Sequence, residues 1–197
     1  MTLKKTGYTE KTSKNYLINA ATVYTNVTYA EGAGFTGTLH GATSGGVTLT
    51  IEQTYRDIEV DGTSHTKLKG NKVLESAFAS ATVNLKEITA ESIRQSLNGA
   101  IETATTTEAP TGYKVVTTKR YLEDTDYIAN MAIVGTLSGT NEQVIAILDN
   151  VISTGGLELS TEDNNEAIIE QTFEAHATVE QLDADEFPWK ILFPTVS

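Results

Sequence analysis

The sequence predicts a mainly β fold, a β-sandwich or partial barrel flanked by one α-helix at about residues 89–102. Two observations predict the strands: apolar and polar residues alternate over long stretches, and these stretches are rich in β-branched and aromatic residues. A single amphipathic stretch that follows a capping residue predicts the helix. At 197 residues, of which 39% are hydrophobic, the chain can bury one core of ordinary size, so we expect a single domain.

Charge and composition narrow the class of function. The chain carries 26 acidic and 14 basic side chains, a formal net charge of -12, which opposes tight binding of nucleic acid through lysine and arginine. It has no cysteine, which excludes disulfides, thiolate metal sites and cysteine nucleophiles. The N-terminus is too polar for a signal peptide and no apolar run approaches bilayer length, so we expect synthesis in the cytoplasm and no membrane partner.

The first 46 residues predict an arm, two strands and a loop. Residues 1–14 contain four lysines and no apolar period, which predicts a mobile basic arm. Residues 16–18 and 22–29 predict strands, and residues 31–46, with six glycines, predict a loop. The loop holds a G-x-G-x-x-G motif that leads into a strand and not into the helix that a dinucleotide site requires, so we expect no cofactor.

A hairpin with a charged connection dominates the next segment. Strands are predicted from Val47 to about Tyr55 and from Ala77 to Leu85, and Arg56 to Lys72 joins them. Acidic residues lead in this connection and lysines follow, a pattern that favours contact between the tip and another subunit. The alternative is that the charges form a solvated face.

The helix after the hairpin has the clearest local signals. Thr89 can cap its first turn, and Glu91 favours the positive end of the helix dipole. Four apolar residues are predicted to anchor it to a sheet, with the first stapled onto the second: Ile88, Ile93, Leu97 and Ile101.

The second half of the chain predicts more strands. Residues 103–112 have linker composition, and residues 113–122 and 127–137 predict a second pair of strands. Residues 141–153 show both helical spacing and β-branched residues, and we favour a strand. Residues 166–180 predict one long strand with a buried face and an acidic face, and residues 187–194 form an apolar tail that must dock.

We find no pattern of catalytic or metal-binding residues. His40, His65 and His176 stand in unrelated contexts, and no G-x-S-x-G motif occurs. The acidic cluster at residues 162–166 lacks the glycine and the bidentate glutamate of an EF-hand, so we expect a hairpin turn there. We therefore expect neither an enzyme nor a metal site.

Three segments together resemble one known family. They are YRDIEVDG at residues 55–62, ATVNLKEIT at residues 81–89 and NEAIIEQTFEAH at residues 165–176. Arranged in this order after a glycine loop, they resemble the major tail tube proteins of long, non-contractile-tailed bacteriophages (siphophages), particularly those that infect Gram-positive hosts. The resemblance spans roughly residues 15–180 and includes no catalytic fingerprint.

This resemblance implies a structural virion protein. Six copies would close into a ring, their inner sheets would join as one intersubunit β-barrel, and the rings would stack into the tail tube that conducts DNA during ejection. It implies a tube domain over residues 15–182 with an apolar C-terminal tail over residues 183–197. The implied partners are further copies of the chain, the tape measure protein, the tail terminator and the distal tail protein.

The resemblance also implies one set of assembly residues, and the charge pattern suggests a second. The charged connection would be the loop that reaches the adjacent ring, with these residues: Arg56, Asp57, Glu59, Asp61, Lys67, Lys69 and Lys72. From the alternation of acidic and apolar residues alone, we expect Glu170 and Glu174 to line the bore, where like charge lets DNA pass without sticking. The alternative is that these two side chains face bulk solvent. Two other functions stay open: a tube subunit of a contractile tail or secretion machine, and a β-sandwich module that binds carbohydrate or a cell surface.

Overall fold

The computed structural model describes residues 6–63, 65–161, 163–164 and 166–195. The chain forms the strands β1 (Leu17–Ala30), β2 (Gly34–Leu39), β3 (Thr43–Asp57) and β4 (Lys72–Leu85), the helix α1 (Ala90–Leu97), the strands β5 (Gly99–Thr103), β6 (Lys114–Thr118), β7 (Ile128–Leu137), β8 (Gln143–Ser153), β9 (Leu159–Ser160) and β10 (Ile168–Glu174), the helix α2 (Val179–Asp183) and the strand β11 (Trp189–Leu192). Short 3-10 helices occupy Thr12–Lys14 and Asp124–Asp126.

Antiparallel pairing joins nine of these strands. The order is β2-β1-β7-β8-β10-β4-β3, with β11 added beside β8 and β9 beside β10, while β5 and β6 form a separate hairpin. Among the described residues the path does not close on itself, so the predicted mainly β fold, a β-sandwich or partial barrel, is confirmed and these strands do not form a closed barrel.

Strand β8 belongs to both halves of the sandwich. Its residues Ile145–Leu148 pair with β11, whereas Ile152 and Ser153 pair with β10. Between these stretches Asn150 adopts a left-handed backbone conformation with φ 46°, and its side-chain amide donates to the carbonyl of His176 at 3.0 Å. Asparagine tolerates this conformation better than a β-branched residue does, so it provides a place where β8 can change direction.

The core lies between the two halves. One half contributes Val23, Met131 and Leu148, and the other contributes Leu85, Ile169 and Phe173, each at most 1% exposed. A second buried cluster, formed by Ala132, Ile145 and Ile147, lies apart from this core. Consecutive buried residues along β7 and β8, such as 131–133 and 145–148, therefore place apolar side chains on both faces of this half.

Several strand predictions are confirmed. Residues 143–153 form a strand, as the β-branched residues indicate. Of the apolar tail, residues 189–192 pair with β8 as β11, whereas Phe187, Ile191 and Phe193 remain 47–63% exposed. The predicted strands at residues 16–18 and 22–29 are parts of the single strand β1. Its register shifts at two places, where Asn19 and Asn26 have positive φ, so β1 continues through two bulges.

Other boundaries were wrong because tertiary pairing overrides local pattern. The predicted glycine loop at 31–46 contains β2 and the start of β3, and Gly34 and Gly37 of the G-x-G-x-x-G motif lie in β2. The predicted linker at 103–112 is the connection of the β5–β6 hairpin, so it does not divide the chain. Strand β6 pairs with β5, and β7 pairs with β1 and β8, so these two strands are not the predicted pair.

The predicted long strand at 166–180 ends at Glu174. A short helix, α2, begins where Thr178 caps the chain by accepting from the backbone of Gln181 at 3.2 Å, while the Gln181 side chain accepts from the backbone of Thr178. This capping box satisfies orphan amides locally and favours the helix over a continued strand. Val179, predicted to be buried, is 70% exposed.

Candidate assembly surfaces

The outer face of strands β3, β4 and β10 is polar and acidic. Its side chains alternate with the core residues of the same strands, and the cross-strand register places Thr48, Thr82 and Thr172 in one row and Thr50, Ser80 and Glu174 in the next. We call it the acidic face and define it by these positions: 48, 50, 52, 78, 80, 82, 84, 170, 172 and 174. The set includes three glutamates and no lysine or arginine.

Both predicted bore residues lie on this acidic face. Glu170 is exposed and pairs across the ladder with Asn84, and Glu174 is exposed beside Ser80. Glu174 also accepts a hydrogen bond from the Thr154 hydroxyl at 3.1 Å, which restrains its side chain. Glu52 adds a third carboxylate that the sequence prediction missed. Glu52 follows the same alternation of polar and apolar residues as Glu170 and Glu174. Aligning β3 with β4 as paired strands would therefore have predicted its outward position.

The β3–β4 hairpin extends beyond the sandwich. From Glu52 onward both faces of β3 are exposed, and the ladder continues to the pair Asp57 and Lys72, whose charged groups lie 3.7 Å apart. The turn is shorter than predicted, because Arg56, Asp57 and Lys72 lie in the strands. The two strands extend further than the sequence pattern predicted. A strand with no buried face needs no alternation of apolar and polar residues, so this part of the hairpin lacked the pattern.

The hairpin tip, residues 58–71, separates its charges. Glu59 and Asp61 lie on the outgoing limb, and Lys67 and Lys69 lie on the returning limb, all of them exposed. Three apolar side chains accompany them and are 44–51% exposed: Ile58, Val60 and Leu68. The backbone amide of Ile58 donates to the carbonyl of Asn71 at 2.7 Å, which closes the base of the tip. The tip therefore presents apolar side chains together with charges of both signs to solvent.

Helix α1 is shorter than predicted. It ends at Leu97, where Asn98 takes the left-handed cap conformation with φ 47°, and Ile101 lies in β5 and not on the helix. The Thr89 cap is confirmed, since its hydroxyl accepts from the backbone of Ser92 at 3.0 Å. Of the predicted anchors, Ile93 packs against the core, Leu97 is half-buried and Ile88 is 40% exposed.

A buried polar network, which the sequence prediction missed, also attaches α1 to the sheet. Gln171 of β10 is fully buried and donates from Nε2 to the Ser92 carbonyl at 2.8 Å and to the Ser96 hydroxyl at 2.7 Å. Its Oε1 lies 2.8 Å from Nε2 of His40. Burial lowers the pKa of His40, and the hydrogen bond to Gln171 opposes that shift. The sequence offered one indication of this network: Gln171 lies between Ile169 and Phe173 on the face of β10 that the alternation places inward.

The other two histidines lie apart from this network. His65 is exposed in the hairpin tip, and His176 Nδ1 lies 3.1 Å from the carbonyl of Glu174. Within the described ranges, no group of three or more His, Cys, Asp or Glu side chains could hold a metal ion. Among those residues no helix has the length and apolar composition needed to cross a membrane.

Comparisons with known proteins give fold-level likenesses only. No family model matches the chain, and no curated protein matches it. Among solved structures, it is similar to a chain in the virion of a native gene transfer agent particle, at 12% identity and a TM-score of 0.40, over 80% of this chain and 92% of that one. It is also similar to a chain in the six-fold symmetrised baseplate of the anti-feeding prophage, at 9% identity and a TM-score of 0.47, over 92% of this chain and 97% of that one. Both TM-scores lie below 0.5, so neither likeness establishes a function for this chain.

Proposed function

We propose that this chain is a structural virion protein whose copies associate into hexameric rings that stack into a bacteriophage tail tube. The observation that carries the proposal is the acidic face beside a long hairpin that extends away from the sandwich. In the tube, the acidic face lines the bore and the hairpin tip contacts the adjacent ring. Ring number and the siphophage tail come from the sequence resemblance alone.

Two strands at the ends of the sheet path favour association between copies. In the described part of the chain, β2 and β3 each pair along one edge only. Strand β3 is 15 residues long, so its free edge presents a long row of backbone donors and acceptors. Pairing with a second copy would satisfy these groups, and ring closure would leave no free edge.

The charge of the acidic face suits a bore that DNA must traverse. Glu52, Glu170 and Glu174 are exposed on it, and no basic side chain occupies its outward positions. At physiological salt, repulsion between these carboxylates and phosphates extends over about 8 Å, so DNA passing near the wall is repelled before it makes contact. A wall without lysine and arginine also offers no site for counterion release.

Negative-stain microscopy of the purified protein at high concentration tests self-assembly. Rings or tubes are the expected result, with a central channel wide enough for duplex DNA. Persistent monomers at every concentration would refute the proposal.

Replacing Glu170 and Glu174 by lysine tests the bore. In virions assembled with this double variant, DNA ejection is expected to be slower or incomplete, because lysines at the wall bind phosphate. The control reverses the same number of charges at Glu158 and Asp163, which are exposed and lie outside the acidic face. Unchanged ejection from the Glu170 and Glu174 variant would remove the bore assignment.

One observation favours the carbohydrate-binding alternative. Tyr29 and Phe35, at the turn of the β1–β2 hairpin, are 64% and 42% exposed, and their ring centroids lie 4.9 Å apart. Exposed aromatic pairs are what such a module presents to sugar rings. Binding to a glycan array that is lost in the Tyr29→Ala variant, together with persistent monomers, would favour this function over the tube.

A further inference from the structure

A groove lined by apolar and acidic side chains lies at one border of the acidic face. It has a volume of about 860 Å³ and runs between the β4 segment around Phe78 and the chain from α2 to Pro188. Three large apolar side chains on its lining are exposed: Phe78 at 68%, Leu182 at 71% and Phe187 at 47%. Within this chain these side chains have incomplete apolar cover.

The charge of the groove has one sign. Four carboxylates line it, Glu52 and Glu174 from the acidic face and Asp185 and Glu186 from the segment after α2. The lining includes no lysine or arginine, and its one other titratable side chain is His176. Such a groove favours an occupant that combines positive charge with at least one large apolar side chain.

The N-terminal segment of the same sequence has that composition. Residues 1–14 contain four lysines and one glutamate, in a chain whose net charge is -12. Tyr8 supplies an aromatic ring that is 59% exposed, three positions before Lys11. Residues 109–122 carry the same net charge, but Lys114–Thr118 there form β6 and Lys119 is already paired with Asp126 at 2.6 Å.

Contacts anchor the C-terminal end of this segment outside the groove lining. The Ser138 hydroxyl donates to the carbonyl of Ser13 at 2.6 Å, and the Gly139 amide donates to the carbonyl of Lys14 at 3.1 Å, so Ser13 and Lys14 are anchored at the β7–β8 turn. Residues 9–15 then curl through local bonds, including Lys14 N to Lys11 O at 3.1 Å. No described residue before Ala77 other than Glu52 lines the groove.

We propose that the groove receives the basic N-terminal segment of a second copy of this chain. Tyr8 covers the exposed apolar side chains of the groove, and the lysines lie against Asp185 and Glu186, the two groove carboxylates that lie outside the acidic face. Because the groove and the anchored segment are different surfaces of one molecule, the contact is head-to-tail and can repeat from copy to copy. The inference adds a specific contact to the proposed self-assembly and rests on it.

Binding of a fluorescently labelled synthetic peptide with the sequence of residues 1–14 to the full-length protein tests this contact. Anisotropy is expected to show saturable binding that weakens as salt is raised. The groove variant combines Asp185→Asn with Glu186→Lys, and asparagine suits position 185 because its φ is 55°. This variant is expected to weaken binding at least about tenfold, since two close ion pairs are lost and a repulsion is added.

Two controls match the change in charge. The protein variant Asp163→Asn with Glu158→Lys makes the same charge change at exposed positions outside the groove and is expected to bind like the wild type. A peptide with all four lysines replaced by glutamine is expected not to bind. Equal weakening by the groove variant and its control would overturn the proposal, as would failure of the peptide to bind the wild type.

Occupation of the groove by the segment of the same chain would also overturn the proposal. In that case the wild type would bind no peptide, and a full-length variant with its four N-terminal lysines replaced by glutamine would bind it. Microscopy separates this inference from the proposed function. Tubes without peptide binding would refute the inference alone, and peptide binding without rings or tubes would refute the tube.

Discussion

Replacing Gln171 by leucine should destabilise the protein strongly although the change keeps the side chain similar in size. Gln171 is fully buried, and its amide makes three hydrogen bonds of 2.7–2.8 Å to Ser92, Ser96 and His40. Leucine removes all three. The Ser96 hydroxyl still donates to the Ser92 carbonyl at 3.0 Å, so these two groups keep a hydrogen bond to each other. The imidazole of His40, in contrast, loses its bond to Gln171.

The expected loss follows from these contacts. Each buried hydrogen bond contributes about 1 kcal/mol net, and a buried group left unsatisfied costs about 1–3 kcal/mol. Partial exposure of His40 and the apolar gain from leucine reduce the sum, so we expect the free energy of unfolding to fall by about 2–4 kcal/mol. The midpoint of urea unfolding should fall accordingly, with an unchanged slope against urea.

The matched control is Gln53→Leu in β3. Gln53 is also a strand glutamine, but it is exposed and its side chain accepts one bond, from the Tyr55 hydroxyl at 3.1 Å. Its replacement should change the free energy of unfolding by less than about 0.5 kcal/mol. If Gln171→Leu costs less than about 1 kcal/mol, the network does not attach α1 to the sheet as described.

Two further predictions concern packing and pH. In Gly99→Ala the new methyl group would collide with the Thr117 carbonyl, so we expect loss of the β5–β6 pairing and a lower melting temperature. Gly7→Ala, where nothing lies within 4 Å, is the control, and equal melting temperatures would contradict the packing. Burial lowers the pKa of His40 below 6.5, so below that pH the unfolded chain binds a proton that the folded chain does not, and stability falls as pH falls toward the folded pKa. Urea unfolding at pH 7.5 and 5 should show a larger loss for the wild type than for His40→Gln, and equal losses would refute this reading.

Local sequence patterns predicted much of the acidic face but little of how α1 is attached to the sheet. Alternation placed Glu170 and Glu174 outward, because side chains alternate along a strand whatever its partners are. The Thr89 cap was also readable, since the bond from the Ser92 amide spans three residues. The C-terminal end of α1 could not be predicted from the sequence. Asn98 ends the helix through a left-handed cap, which the spacing of apolar residues does not encode.

The groove and the polar network had no comparable signal. Gln171 contacts His40 and Ser92, which are 131 and 79 residues away, and no periodicity relates positions so distant. The groove forms where α2 interrupts the predicted strand and brings Leu182 and Asp185 beside Phe78. The exposed pair of Tyr29 and Phe35 was not predicted either. It forms because β2 pairs with β1, and the glycines of β2 had led to the prediction of a loop there.

The sequence by itself determined the mainly β class, the charge, the basic N-terminal segment, the capped helix and the long hairpin. Each of these depends on composition or on residues within a few positions of one another. The tertiary structure alone decided the strand order, the role of β8 in both halves and the docking of β11. The physical reason is that backbone hydrogen bonds between strands are nearly identical for many partners, so packing of the whole core selects the pairing.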